Sequence, residues 1–214
     1  MKTKYISIEG GDGSGKTTLV KNLHNYFLSN KTNILLTKEF GSPLDQFCKE
    51  LREFALSNRF DVDEKAGQLL FGSIIKQHQE KVIKPAMGNY DIILSDRGPY
   101  SNYTYGPVHQ IDPKFIKSLF DLVYEDAHWP DVSIFLNLPA EIAAARRMKR
   151  SPELFQGGGV DRVEAKGLEF QKEVSKNFLN IAKTDKRLLI LNATAEMTPE
   201  DILQAALDLI NQNT

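Results

Sequence analysis

Hydrophobic and polar positions alternate between two periods along this chain. Short, nearly continuous Ile/Leu/Val/Phe runs fall at Tyr5–Ile8, Asn33–Thr37, Asp91–Ser95, Val132–Leu138 and Arg187–Leu191. Unbroken apolar runs of that length suit parallel strands covered on both faces. Between them the apolar spacing becomes helical, over Lys16–Ser29, Pro43–Leu56, Asp63–Met87, Pro113–Tyr124, Ala140–Arg150 and Arg162–Ala182. A last helix follows the fifth run. Its apolar residues Ile202, Ala205, Ala206, Leu209 and Ile210 make one buried stripe, and Thr198 caps it ahead of Pro199. Strand and helix in alternation predict a three-layer α/β fold with right-handed crossovers. One stretch fits neither period: Ser151–Val160, "SPELFQGGGV", whose three consecutive glycines cannot hold a helix or strand. It reads as a surface loop or a mobile lid.

Bulk composition narrows the function. The 214 residues suit one domain, 1–214, with no long linker and no repeat. A net charge of −1 argues against a general nucleic-acid surface, so any cationic site is local. No apolar run approaches the ~18 residues of a membrane span, and the expected location is the cytoplasm. The single cysteine, Cys48, lies in the apolar pattern of a helix and reads as a small buried hydrophobe. His24, His78, His109 and His128 show no metal spacing and carry no assigned role.

Chemistry concentrates in "ISIEGGDGSGKTTLV", Ile6–Val20. Gly10 to Thr17 match G-x-x-x-x-G-K-[ST] between a strand and a helix, the context a phosphate loop requires. Gly10, Gly11, Gly13 and Gly15 let the backbone curl so that N–H groups, with those of Asp12, Ser14, Lys16, Thr17 and Thr18, face anionic oxygens. The helix N-terminus adds partial positive charge. Lys16 reaches outer phosphates and the Thr17 hydroxyl ligates Mg²⁺. "DIILSDR" ends a strand in Asp96, at the sheet's carboxyl edge, where it holds Mg²⁺ directly or through water. Arg97 follows and suits an acceptor phosphate. Arg146, Arg147, Lys149 and Arg150 crowd one helix end, and Arg162 follows the glycines. They form either a solvated helix terminus or a cationic rim that closes on a transferred phosphoryl group while excluding water.

These blocks, in order and spacing over nearly the whole chain, resemble the thymidylate kinase family of P-loop nucleoside monophosphate kinases. "KYISIEGGDGSGKTT" is similar to its phosphate loop, with Asp12 at the position that contacts the acceptor 3′-hydroxyl. "TKEFGSPLDQ" resembles its T-R-E-P-G-G-T segment, and "LLFGSIIKQHQEKVIKPAM" its base-binding helix, with Phe71 where the family stacks thymine. "SDRGPYSNYTYG" resembles D-R-x-x-x-S-x-x-A-Y-Q, placing Arg97 on the acceptor phosphate and Ser101 and Tyr105 along the sugar and base pocket. "WPDVSIFLNLPAE" and "VDRVE" match the fourth strand and the end of the lid.

The resemblance implies a P-loop NTPase fold with sheet order 2-3-1-4-5, a lid at about 146–162, and a homodimer. It implies ATP and Mg²⁺, with a deoxynucleoside monophosphate as the small-molecule partner. Lys38 stands on the acceptor side. No cation besides Lys16 lies inside the loop, so the lid must supply the arginine: Arg150 first, with Arg146 on ATP. Arg150→Ala is then expected to cut turnover far more than ATP affinity. The departures cluster on the acceptor side. Lys38 replaces an arginine, Phe40 a proline, Ile75 a base-contacting arginine, Thr104 an alanine and Gly106 a glutamine. Phosphoryl transfer follows, while the acceptor base stays open between thymine and a related or 5-modified pyrimidine. A nucleoside kinase and a regulatory nucleotide-binding module are the competing readings.

Overall fold

The computed structural model describes residues 2–57, 59–108, 110–150 and 166–213, apart from the Arg150 side chain. Five parallel strands form one sheet: β1 (Lys4–Glu9), β2 (Ile34–Lys38), β3 (Ile92–Asp96), β4 (Val132–Asn137) and β5 (Leu188–Asn192), in the order β2-β3-β1-β4-β5. All five expected strands form, each within a residue or two of its apolar run. Register then carries the site. Ile8 and Lys38 both pair with Asp96, so the carboxyl ends of β1, β2 and β3 converge. In an open parallel sheet the ligand crevice lies outside those ends.

Helices α1 (Lys16–Ser29) and α9 (Pro199–Gln212) cover one face. Side chains alternate across a strand, so Ile6 and Ile8 join Leu19, Leu23, Ala206 and Ile210 in that core. On the opposite face Tyr5 packs with Ile93 and Ile83. Also there, Phe135 of β4 stacks at 4.4 Å on Phe178 of α8 (Gly167–Ala182). The cap expected at Thr198 is present as a reciprocal pair with Asp201.

Three helical expectations need adjustment. The helix expected from Pro43 begins later, as α2 (Gln46–Leu56), because Asp45 accepts from the Cys48 N–H at 2.9 Å and fixes the start. The long helix expected over Asp63–Met87 is present as α3 (Glu64–His78), a π-helical turn (Gln79–Ile83) and α4 (Lys84–Ala86) in succession. The third adjustment is α5 (Pro99–Val108), which the apolar pattern does not announce: it contains Gly106 and Pro107, both poor helix formers. Packing explains the glycine. A Cβ on Gly106 would lie 2.8 Å from Ile116 of α6 (Pro113–Val123). Helix α7 (Ala140–Arg150) forms as expected and includes the first residues of the expected lid; residues 151–165, with the rest of that lid and Arg162, lie outside the described residues. Cys48 is buried, its thiol pushed up to about 12 by burial and then by Asp45, which leaves it inert at neutral pH.

Candidate active site

The phosphate loop runs from the end of β1 into α1, and its geometry demands glycine. Gly13 and Gly15 have φ of 83° and 102°, in the left-handed region. A Cβ on Gly13 would approach the Ala143 carbonyl oxygen to 2.5 Å and Arg147 Cγ to 2.7 Å, so α7 lies directly over the loop. Lys16 opens α1 and donates to the Gly11 carbonyl at 2.9 Å. Burial first, then Arg97, lowers its ammonium to about 8. Ser14 Oγ is buried and has no hydrogen-bond partner among the described residues. An inward-facing loop with an unspent hydroxyl and a lysine fits the phosphates of a nucleotide.

Thr17 Oγ1 donates to Asp96 Oδ2 at 3.2 Å, which brings two hard oxygen donors together beside that loop. The pair fits Mg²⁺, which takes one or two protein oxygens and completes its shell with phosphate and water. Thr17 and Thr18 are exposed at the start of α1.

A second cleft opens next to the loop. It is lined by Asp12, Lys38, Phe71, Arg97, Ser101 and Tyr105, which bring the whole expected acceptor set into one place. Arg97 is its hub. Its φ of 71° is strained for a side-chain-bearing residue. That backbone turn aims the guanidinium at Asp12 Oδ1 (2.6 Å), the Gly10 carbonyl (3.1 Å) and Ser101 Oγ (3.3 Å), over the Tyr105 ring. Burial alone would raise the Asp12 carboxyl, but Arg97, Lys16 and Arg147 hold it below the ordinary carboxylate value. Lys38 is depressed by burial and then by neighbouring Arg52.

Several site residues escaped the sequence reading. Gln171 of α8 grips Asp12 twice: its Oε1 accepts from the Asp12 N–H and its Nε2 donates to Asp12 Oδ2, both at 3.1 Å. Arg147, not Arg146, is the described α7 arginine buried against the loop; Arg146 is half-buried. Arg52, Leu56, Gln68 and Asn102 line the second cleft. Phe40 meets Phe71 edge-on at 5.6 Å, so it forms part of the aromatic wall. Two buried carboxylates stand behind the wall. Glu9 accepts from Ser101 Oγ at 2.6 Å and is raised by burial to about 7. Glu39 accepts from Tyr124 OH at 2.9 Å and is held well above the ordinary carboxylate range by burial and then by Glu9. Their signal in sequence was polar residues at strand ends, where an apolar run should simply stop. Ile75 is absent from the cleft lining and packs in an apolar cluster with Ile116 and Phe120. The side chain of Arg150 lies outside the described residues.

Together, the sheet order, the loop and the adjoining cleft define a P-loop α/β protein in which a cleft opens beside the phosphate loop, with Asp12 and Arg97 in its lining. The chain belongs to the thymidylate kinase family, whose sequence pattern matches residues 8–204. A thymidylate kinase of Protochlamydia amoebophila is 30% identical over 99% of this chain and 93% of that protein. One of Maridesulfovibrio salexigens is 32% identical over 94% and 91%. A probable thymidylate kinase of Pyrococcus abyssi is 32% identical over 95% of each.

Proposed function

We propose that this protein is an ATP-dependent nucleoside monophosphate kinase that transfers the γ-phosphoryl group of ATP to dTMP, giving ADP and dTDP. Membership of the thymidylate kinase family supports the reaction. One observation carries the site assignment: Asp12 of the phosphate loop pairs at 2.6 Å with Arg97 at the end of β3, and both line the second cleft. Donor and acceptor phosphates therefore meet across a single ion pair.

No protein nucleophile is required, because the acceptor phosphate oxygen attacks in line. The loop N–H groups and Lys16 hold the donor phosphates. Arg97 gathers the acceptor phosphate, assisted by Lys38. Asp12, held by Gln171, orients the acceptor sugar. Phe71 and Phe40 flank the base, and Ser101 and Tyr105 shape the wall. Mg²⁺, held by Thr17 and Asp96, would draw charge off the phosphate oxygens. Arg147 adds positive charge over the loop, with Arg150 as the expected lid cation and Arg146 on the ATP side. The chain would act as one domain, 1–214, with a lid at about 146–162, as a homodimer in the cytoplasm. No helix among the described residues is long and apolar enough to cross a membrane.

The test is ADP release by the purified protein with ATP, Mg²⁺ and dTMP, with dTDP identified as product. Phosphorylation of thymidine but not dTMP would replace this reading with a nucleoside kinase. ATP hydrolysis without any acceptor product would replace it with a nucleotide-binding regulator.

A further inference from the structure

The polar groups of the acceptor cleft are not equivalent. The Ser101 hydroxyl donates to Glu9 at 2.6 Å. Asn102 Nδ2 donates to Tyr124 OH at 2.6 Å and to Glu39 at 3.3 Å, which fixes the orientation of its amide. Gln68 differs. It lies on α3 one turn before Phe71, so the two side chains share a helix face. Gln68 is 4% exposed and lines the cleft, yet its side-chain amide has no hydrogen-bond partner among the described residues. It shares the cleft wall with apolar Leu56, Phe40 and Phe71 and with polar Lys38, Arg52 and Asn102. With no described partner, the amide is left to the cleft, and a base that displaces water from the cleft must either pair with it or leave it unpaired at a cost.

The ligand that satisfies it must present a donor and an acceptor side by side, in the plane of a ring that Phe71 can stack. A pyrimidine does so in two ways. Thymine and uracil offer N3–H beside a C4 carbonyl; cytosine offers N3 beside a C4 amino group. One amide answers both, because a half-turn about its last bond exchanges its oxygen and nitrogen. No described protein group holds the Gln68 amide in either orientation.

Resting on the kinase reading above, we propose that Gln68 is a specificity-determining residue that reads the base edge, and that its free amide lets the enzyme accept dCMP as well as dTMP. The cleft is then a pyrimidine deoxynucleotide site rather than a strictly thymine site.

The experiment compares kcat/KM for dTMP, dCMP and N3-methyl-dTMP in the wild type and in Gln68→Met, a near-isosteric change that removes the amide. The wild type should phosphorylate dTMP and dCMP, and blocking N3 should cost it about tenfold or more. In Gln68→Met, kcat/KM for dTMP and dCMP should both fall about tenfold, and N3 methylation should cost little further, since the partner is already gone. A merely structural role would lower all three acceptors together and keep the methylation penalty intact, and that pattern would overturn the proposal. KM for ATP and the melting temperature without nucleotide report whether the variant is folded. Unchanged dTMP kinetics in Gln68→Met, or wild-type discrimination against dCMP above about 10⁴-fold, would also overturn it. A wild type inactive on every monophosphate would instead remove the kinase reading on which it rests.

Discussion

At the scale of single residues, the site is an arrangement of charges that would be unfavourable apart. Asp12, Lys16 and Arg97 are each drawn out of water, with Asp12 the charge that offsets both cations and Gln171 holding Asp12 from a helix about 160 positions away in sequence. Gln171→Leu removes both hydrogen bonds to Asp12. It should raise the acceptor KM by about tenfold, at ~1–1.5 kcal/mol for two such bonds, while KM for ATP moves less. Steady-state kinetics with each substrate varied in turn checks this; equal changes in both KM values would count against it. Gly13→Ala is harsher. Its φ of 83° disfavours any Cβ, and that Cβ would press on the Ala143 carbonyl at 2.5 Å. Loss of detectable ATP binding by calorimetry is the expected outcome, with the melting temperature lowered by strain alone.

Among the elements, α3 is both a wall of the acceptor cleft and a pH-sensitive part of the fold. Its N-cap, Asp63, accepts from Lys65 N–H at 3.0 Å and Ala66 N–H at 3.2 Å, within about two turns of Gln68 and Phe71. Asp63→Ala should cost about 1 kcal/mol by chemical denaturation and raise the acceptor KM through a looser first turn. The other end of α3 is His78, fully buried with Nε2 2.9 Å from Thr37 Oγ1 and lowered by burial to about 4. Between pH 6.5 and 4 the unfolded chain takes up a proton that the folded one refuses, so this residue destabilises the fold as pH falls. Glu9, raised to about 7, acts in the opposite direction from pH 7 down to about 4.5, because there the folded state takes the proton. Comparing His78→Gln with wild type isolates the histidine. The wild type should lose ground to the variant by about 1.4 kcal/mol per pH unit across that window, read from urea midpoints. A constant difference would show that His78 titrates normally.

Taken whole, the molecule places two ligand sites at one sheet edge, and binding to either stabilises the folded state. Each nucleotide at about a hundred times its Kd should add about 2.7 kcal/mol, seen as a rise in melting temperature. Arg97→Met should abolish the rise produced by dTMP and reduce the one produced by ATP less, because Lys16 and the loop N–H groups remain.

The alternation of apolar runs and helical stripes was enough to define the strands and most flanking helices, and the glycine-lysine motif between the first strand and helix defined the phosphate loop. Burial of a continuous run and curling of a glycine loop are local events whose causes lie within a few neighbouring residues. The resemblance carried by "GGDGSGKT", "TKEF" and "SDRGPYSNYTYG" likewise located Asp12, Lys38, Arg97, Ser101 and Tyr105, all of which share one cleft. Helix α5 was hidden because its glycine answers to Ile116, a contact with another helix rather than a local propensity. Arg52, Gln68 and Gln171 were hidden for the same kind of reason, as was the choice of Arg147 among the α7 cations as the one that faces the loop. A polar residue on an amphipathic helix looks alike whether it faces water or a cleft, and the rotation of each helix against its neighbours decides which. Tertiary packing also turned Phe40 from an apparent departure into an aromatic wall and set Ile75 in an apolar cluster. The sequence by itself determined that phosphate is held at the end of the first strand. What the adjoining cleft can recognise was decided when α2, α3, α5 and α8 closed around it, because recognition depends on side chains distant in sequence being desolvated together.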